Sequence, residues 1–126
     1  NGQTLHFELG RAVVAQCGSL ITRTLYIKEG ATKRFAIVDA GFTDLIRPAL
    51  YQAYHKIENI SSDEPLETYD VVGPICESTD VFAKQIDINK AHRGDLLAIR
   101  SAGAYGEIMA SQYNCRKLPK GYLSDE

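Results

Sequence analysis

Tryptophan is absent from these 126 residues, methionine occurs once, and proline only four times. No apolar run approaches the roughly 20 residues that a membrane-spanning helix needs, so this stretch holds no helical span. Cysteine is scarce: Cys17, Cys76 and Cys115 are odd in number and form no CxxC. That excludes the paired framework of a small secreted domain, and reduced thiols in a cytoplasmic protein are the simplest reading. His6, His55 and His92 are scattered, which leaves a metal site without sequence support. Neither sign of charge dominates, with 14 Lys plus Arg against 16 Asp plus Glu and a net charge of -2. A dedicated nucleic-acid binder would carry a strongly basic patch. The start, Asn1-Gly2-Gln3-Thr4, lacks the basic-then-apolar pattern of a signal peptide. It also lacks an initiator Met, so the chain is expected to begin inside a longer protein. What is present, 44% hydrophobic and 24% charged residues without repeats or low complexity, suffices for one packed domain.

Residues 10–16 read as a short helix stopped near Gly18. Residues 20–28 are β-branched and aromatic and read as a strand, with Ile21, Leu25 and Ile27 on one face and Thr22, Thr24 and Tyr26 on the other. A turn at Glu29-Gly30-Ala31-Thr32 leads into a second strand over 35–39, closing a hairpin. Residues 45–54 accommodate a short helix only if Pro48 lies in its first turn. Further strands are expected over 56–60, 68–72, 81–83, 85–88, 95–100 and 108–113, and loop over 118–126. Many short strands separated by turns indicate an antiparallel sandwich or barrel. Residues 61–83 hold six acids and no Lys or Arg, which reads as a solvated face.

Four clusters set reactive or charged side chains beside Gly or Pro, where a loop brings backbone close to a ligand. They are Glu8-Leu9-Gly10-Arg11; Asp39-Ala40-Gly41 with Arg47-Pro48-Ala49-Leu50-Tyr51; Gly73-Pro74-Ile75-Cys76-Glu77-Ser78-Thr79-Asp80; and Ala102-Gly103-Ala104-Tyr105-Gly106. Singly, each also suits an ordinary surface. Gly10 and Arg11 open the first helix, and amides at a helix start accept phosphate. Arg47 and Tyr51 stand four apart and share a face if helical, where a guanidinium fork and a hydroxyl suit a carboxylate. Cys17 and Cys115 read as small buried apolar residues. Asp39 reads as a turn residue without a site role, and Tyr54 and His55 as structural.

Together and in this order, the clusters resemble the C-terminal part of the diaminopimelate decarboxylase family, pyridoxal-phosphate enzymes of the alanine-racemase-like fold. The resemblance runs from about Leu5 to about Lys117. Cys76-Glu77-Ser78 is its most specific element, since related ornithine and arginine decarboxylases carry Cys-Asp-Gly there. The run from Arg47 to His55 is nearly as telling. Leu9 departs from the family's Glu-Pro-Gly-Arg.

This resemblance implies a mainly β chain. Residues 1–17 would be the end of a (β/α)8 barrel that binds pyridoxal 5'-phosphate, and the Schiff-base lysine, on the rest of that barrel, is not in this chain. Residues 18–126 would be a C-terminal antiparallel β-barrel or sandwich domain, truncated at its C-terminus. It implies cofactor contacts from Glu8, Gly10, Arg11 and Tyr105. It implies substrate contacts from Arg11, Arg47, Tyr51, Glu77 and Tyr105, with Arg47 and Tyr51 at the distal carboxylate of meso-diaminopimelate and Glu77 at its distal ammonium. Cys76 would be catalytic: the carbon that loses carbon dioxide must gain a proton, and a thiol, ordinarily with pKa ~8.5, holds one at neutral pH. The implied assembly is a homodimer in which the Cys76 loop of one subunit completes the other's site. The parent would be a cytoplasmic carboxy-lyase of lysine biosynthesis with no nucleic-acid or membrane partner. The alternatives are a related decarboxylase of a basic amino acid or carboxynorspermidine, and a non-catalytic β-barrel interaction module.

Overall fold

A computed structural model describes residues 2–125. Helix α1 (Arg11–Val14) and a 3-10 turn (Ala15–Cys17) lead into β1 (Ser19–Glu29), then β2 (Arg34–Val38), α2 (Arg47–Tyr51), β3 (Ile57–Asn59), β4 (Leu66–Val72), β5 (Val81–Asn89) and β6 (Leu96–Arg100). The expected β1–β2 hairpin forms, closed by the Gly30 amide on the Lys33 carbonyl at 2.7 Å. α2 starts at Arg47 with Pro48 in its first turn, where the missing amide hydrogen costs nothing. It ends at Gln52 in the left-handed region. The two segments expected at 81–83 and 85–88 are one strand, β5.

The sheet order is β3-β6-β1-β2-β4-β5. Its two ends approach each other: Asn59 on β3 donates through Nδ2 to the Asn89 and Lys90 carbonyls at the end of β5, both at 3.3 Å. The result is a nearly closed, barrel-like sheet. β1 makes this possible by serving both halves, pairing with β6 through residues 19–23 and with β2 through residues 24–29. Its bend falls at an irregularity between Thr24 and Tyr26, as bulges allow.

Two expectations need correction here. The pairing is antiparallel except between β2 and β4, which run parallel. The chain leaves β2, places β3 on the far edge beside β6, and returns to β2's other side in the same direction, a crossover of the length parallel strands demand. Residues 108–113 form no strand; 3-10 turns occupy Glu107–Met109 and Tyr113–Cys115 instead. The loop expected at the C-terminus is irregular as far as it is described, while Asn1 and Glu126 lie outside the described residues.

The faces of β1 also differ from a simple period of two. Thr22 and Thr24 are buried and Ile21 is half exposed, yet Ile27 packs on the core. The bulge switches the alternation, and Thr22 can turn inward because its hydroxyl is satisfied. It donates to Asp39 Oδ1 at 2.6 Å and accepts the Ala40 amide at 2.9 Å. Asp39 is therefore a structural acceptor that also takes the Arg23 amide at 2.8 Å. Val38, Leu45, Tyr69, Val71, Leu97 and Ile99 form the centre of the core. The acidic segment is not simply a solvated face, because Asp70 and Asp80 are buried in hydrogen-bonded positions. Cys17 and Cys115 are exposed rather than buried, as is Cys76, and all three are unpaired.

Candidate active site

Two glycines hold the first and last of the four clusters together. A Cβ on Gly103 would lie 2.2 Å from the Val14 carbonyl oxygen and 2.9 Å from the Gly18 nitrogen. Only a residue without a side chain permits that approach. Two backbone bonds of 2.9 Å, Gly103 to the Ala15 carbonyl and Ala102 to the Gly18 carbonyl, fasten α1 and its 3-10 turn to the loop bearing Tyr105. Tyr105 has φ 56 and Ser101 φ 59. Non-glycine residues occupy that region at a cost, and such costs gather at functional loops.

The outcome is a cavity of about 690 Å³ whose lining includes Arg11, Arg47, Tyr51, Tyr54, His55 and Tyr105. Four of the expected ligand contacts thus converge from three separate segments. Arg47 and Tyr51 do share a face of α2, with the guanidinium carbon 5.5 Å from the ring centroid. That stacking keeps the planar donor fork in a defined orientation. Glu8 and Gly10 lie outside this lining, on the exposed segment leading to α1. A Cβ at Gly10 would meet nothing within 4 Å, so its backbone faces open space.

Tyr54 and His55, read as structural from sequence, both reach this cavity. Tyr54 is highly exposed, while His55 is buried. His55 Nδ1 lies 2.9 Å from the Arg100 carbonyl oxygen, which can only accept, so Nδ1 carries the proton. Nε2 has no partner among the described residues. Nothing local in the sequence announced this; the β3–β6 pairing sets His55 against the strand end.

Cys76 and Glu77 stand elsewhere, on the loop between β4 and β5. That loop is organised by Asp80, whose carboxylate accepts the Phe42 amide through Oδ1 and the Ile75 amide through Oδ2, each at 2.7 Å. Its own carbonyl takes the Gly73 amide at 3.0 Å. Burial raises the Asp80 carboxyl above its ordinary range, and the two amides pull the other way. Cys76 and Glu77 are exposed at the tip of this pinned loop. The Glu77 carboxylate accepts the hydroxyl of Tyr113, a residue that carried no motif and lies 36 positions away.

Comparison with known proteins interprets this layout. Residues 12–103 match the model for the C-terminal sheet domain of pyridoxal-dependent decarboxylases. The chain belongs to that family. It is 78% identical over 124 residues to a diaminopimelate decarboxylase of Bacteroides thetaiotaomicron, covering 98% of this chain and 32% of the relative. It is 54% identical over 123 residues to the diaminopimelate decarboxylase of Pseudomonas aeruginosa, covering 97% and 29%. The crystal structure of the Helicobacter pylori diaminopimelate decarboxylase complexed with L-lysine superposes with a TM-score of 0.84. That match has 48% identity and covers 94% of this chain and 30% of that one. The chain thus spans about a third of the length of these relatives. Among the described residues, no helix is long and apolar enough to cross a membrane.

Proposed function

We propose that this chain is the substrate-recognition and dimer-forming part of a diaminopimelate decarboxylase, a carboxy-lyase converting meso-diaminopimelate to L-lysine and carbon dioxide. The observation that carries this reading is the division of the site. Arg11, Arg47, Tyr51 and Tyr105 share one cavity, and Cys76 with Glu77 sits on a separate exposed loop. A site needing both groups is completed by a second copy of the same chain, which supports a homodimer. That the relatives are diaminopimelate decarboxylases supports the substrate.

Residues 1–17 are read as the end of a cofactor barrel and 18–126 as the β domain. Leu5, Phe7 and Leu9 support this, because they are exposed on an irregular segment that nothing among the described residues covers. Pyridoxal 5'-phosphate fits what is present: the backbone at Gly10 is open to a phosphate, and Arg11 and Tyr105 line the adjoining cavity. When bound, that group serves as the electron sink for the carbon that loses carbon dioxide. In this reading Glu8, Gly10, Arg11 and Tyr105 hold the cofactor, and Arg11 and Tyr105 also reach the substrate. Arg47 and Tyr51 bind the distal carboxylate, and the partner's loop brings Glu77 to the distal ammonium. Cys76 Sγ delivers the proton to the reacting carbon. A substrate without the distal carboxylate would leave Arg47 unpaired, a strong ground for rejection. The three unpaired thiols support a reducing, cytoplasmic setting.

Subunit mixing tests the reading. In full-length polypeptide carrying this chain, Arg47→Ala and Cys76→Ala homodimers should each be nearly inactive, the latter by ~10²–10⁴ in turnover. Cys76 is exposed, so its truncation should leave the thermal midpoint in place. Mixing the two after reversible dissociation should restore about a quarter of wild-type activity, since half the dimers are hybrid and each holds one intact site. No recovery in demonstrated hybrids would sink the shared site.

A further inference from the structure

Residues 113–116 form a turn to which the reading above gives no part. Asn114 and Cys115 lie consecutively in the left-handed region, with φ 60 and 58. Neither is glycine, and such backbone persists only where its surroundings over-determine it. Three anchors do so, and all end in the loop that follows β2. The Arg116 guanidinium donates to the Asp39 carbonyl and lies 3.6 Å from the Asp44 carboxylate. The Tyr113 ring packs on Phe42 with centroids 5.8 Å apart. The Ser111 amide reaches the Thr43 carbonyl at 2.9 Å. Asp80 grips the same loop through the Phe42 amide. Tyr113 and the Cys76–Glu77 loop are therefore referenced to one stretch of backbone.

What this construction delivers is a single hydroxyl on a single carboxylate. Tyr113 donates to Glu77 Oε1, the one hydrogen bond made to that carboxylate among the described residues. The negative partner raises the Tyr113 hydroxyl above its ordinary range, so it stays a protonated donor at any physiological pH. An exposed glutamate otherwise samples many rotamers, and ordering it on binding costs free energy. With Oε1 held, Oε2 keeps a defined direction.

We propose that Tyr113 is a positioning residue, orienting Glu77 so that its free oxygen meets the distal ammonium of the substrate. This rests on the reading that Glu77 binds that ammonium. The test is a double-mutant cycle in full-length enzyme, with initial rates on meso-diaminopimelate and thermal midpoints on the same samples. Tyr113→Phe, which keeps the ring on Phe42, should raise KM about tenfold and change kcat by less than about threefold. Glu77→Gln should raise KM further. Tyr113→Phe added to Glu77→Gln should then change KM by less than about twofold, because the carboxylate it orients is gone. If Glu77→Gln raises KM but Tyr113→Phe does not, or acts equally in both backgrounds, Tyr113 does not act through Glu77 and the inference is overturned. If Glu77→Gln leaves KM unchanged, the assignment of Glu77 to the ammonium fails, and the role of Tyr113 falls with it.

Discussion

Asp80→Asn should release the loop that carries Cys76 and Glu77. The buried carboxylate receives two amides at 2.7 Å, from half-buried Phe42 and buried Ile75. The asparagine oxygen replaces one acceptor, but its NH2 group then opposes the other amide. The loss is one charge-assisted bond plus a stranded buried donor, about 2–4 kcal/mol together. Little room exists for relaxation: a Cβ on Gly73 would lie 2.3 Å from Asp80 Oδ2, and one on Gly41 2.8 Å from Ile75 Cγ1. The side chain cannot swing away. If the loss is local, amide protection at Phe42 and Ile75 should fall by roughly 30- to 1,000-fold, while core strands such as β6 keep theirs. Hydrogen exchange by mass spectrometry on full-length enzyme reads this directly. The sign of the pH effect is also set. The folded-state value is raised, so the folded chain binds that proton more readily than the unfolded chain does. The associated stability is complete below the unfolded value, ordinarily 3.8, and falls as pH rises through the raised one. Mild acid should therefore leave this loop closed. Unchanged protection at Phe42 and Ile75 in Asp80→Asn would refute the reasoning.

Arg47→Lys should lower kcat/KM for meso-diaminopimelate by about 10- to 150-fold, since ammonium keeps the charge but loses the fork and the stacking on Tyr51; unchanged steady-state kinetics would remove Arg47 from the site. Gly103→Ala should push α1 off the Tyr105 loop, because the nearest atoms are backbone, at about 1–3 kcal/mol of stability; an unaltered thermal midpoint would count against that packing. Glu67→Gln concerns a carboxyl held below its ordinary 4.5 first by the Tyr69 hydroxyl and also by Arg34, with burial opposing. A lowered value contributes stability above about pH 4.5 that is lost as pH falls through it, so urea midpoints of parent and variant should differ at pH 7 and converge near pH 3.

Local chemistry made much of this protein legible. β-branched runs and turn residues marked β1, β2, β4 and β6 to within a residue or two, because those strands carry their own punctuation. Pro48 admitted only a short helix that begins just before it, and the four-residue spacing of Arg47 and Tyr51 put them on one face. The strand expected at 108–113 failed because the segment is held by Thr43 and Phe42, partners more than sixty residues earlier that give it no sheet edge to join. The bulge in β1 was equally invisible, since the burial of the Thr22 hydroxyl depends on Asp39, seventeen residues further along the chain.

The four clusters and their residue types were thus determined by the sequence itself, because glycine, guanidinium, hydroxyl and thiol chemistry is carried by each residue alone. Their distribution was not. Tertiary structure decided that Arg11, Arg47, Tyr51 and Tyr105 share a cavity while Cys76 and Glu77 lie outside its lining, that His55 joins the cavity, and that Tyr113 meets Glu77. Such placements depend on which strands pair and on which backbones can touch at Gly103 and Gly18. Those are properties of the closed sheet, written in no single stretch of the chain.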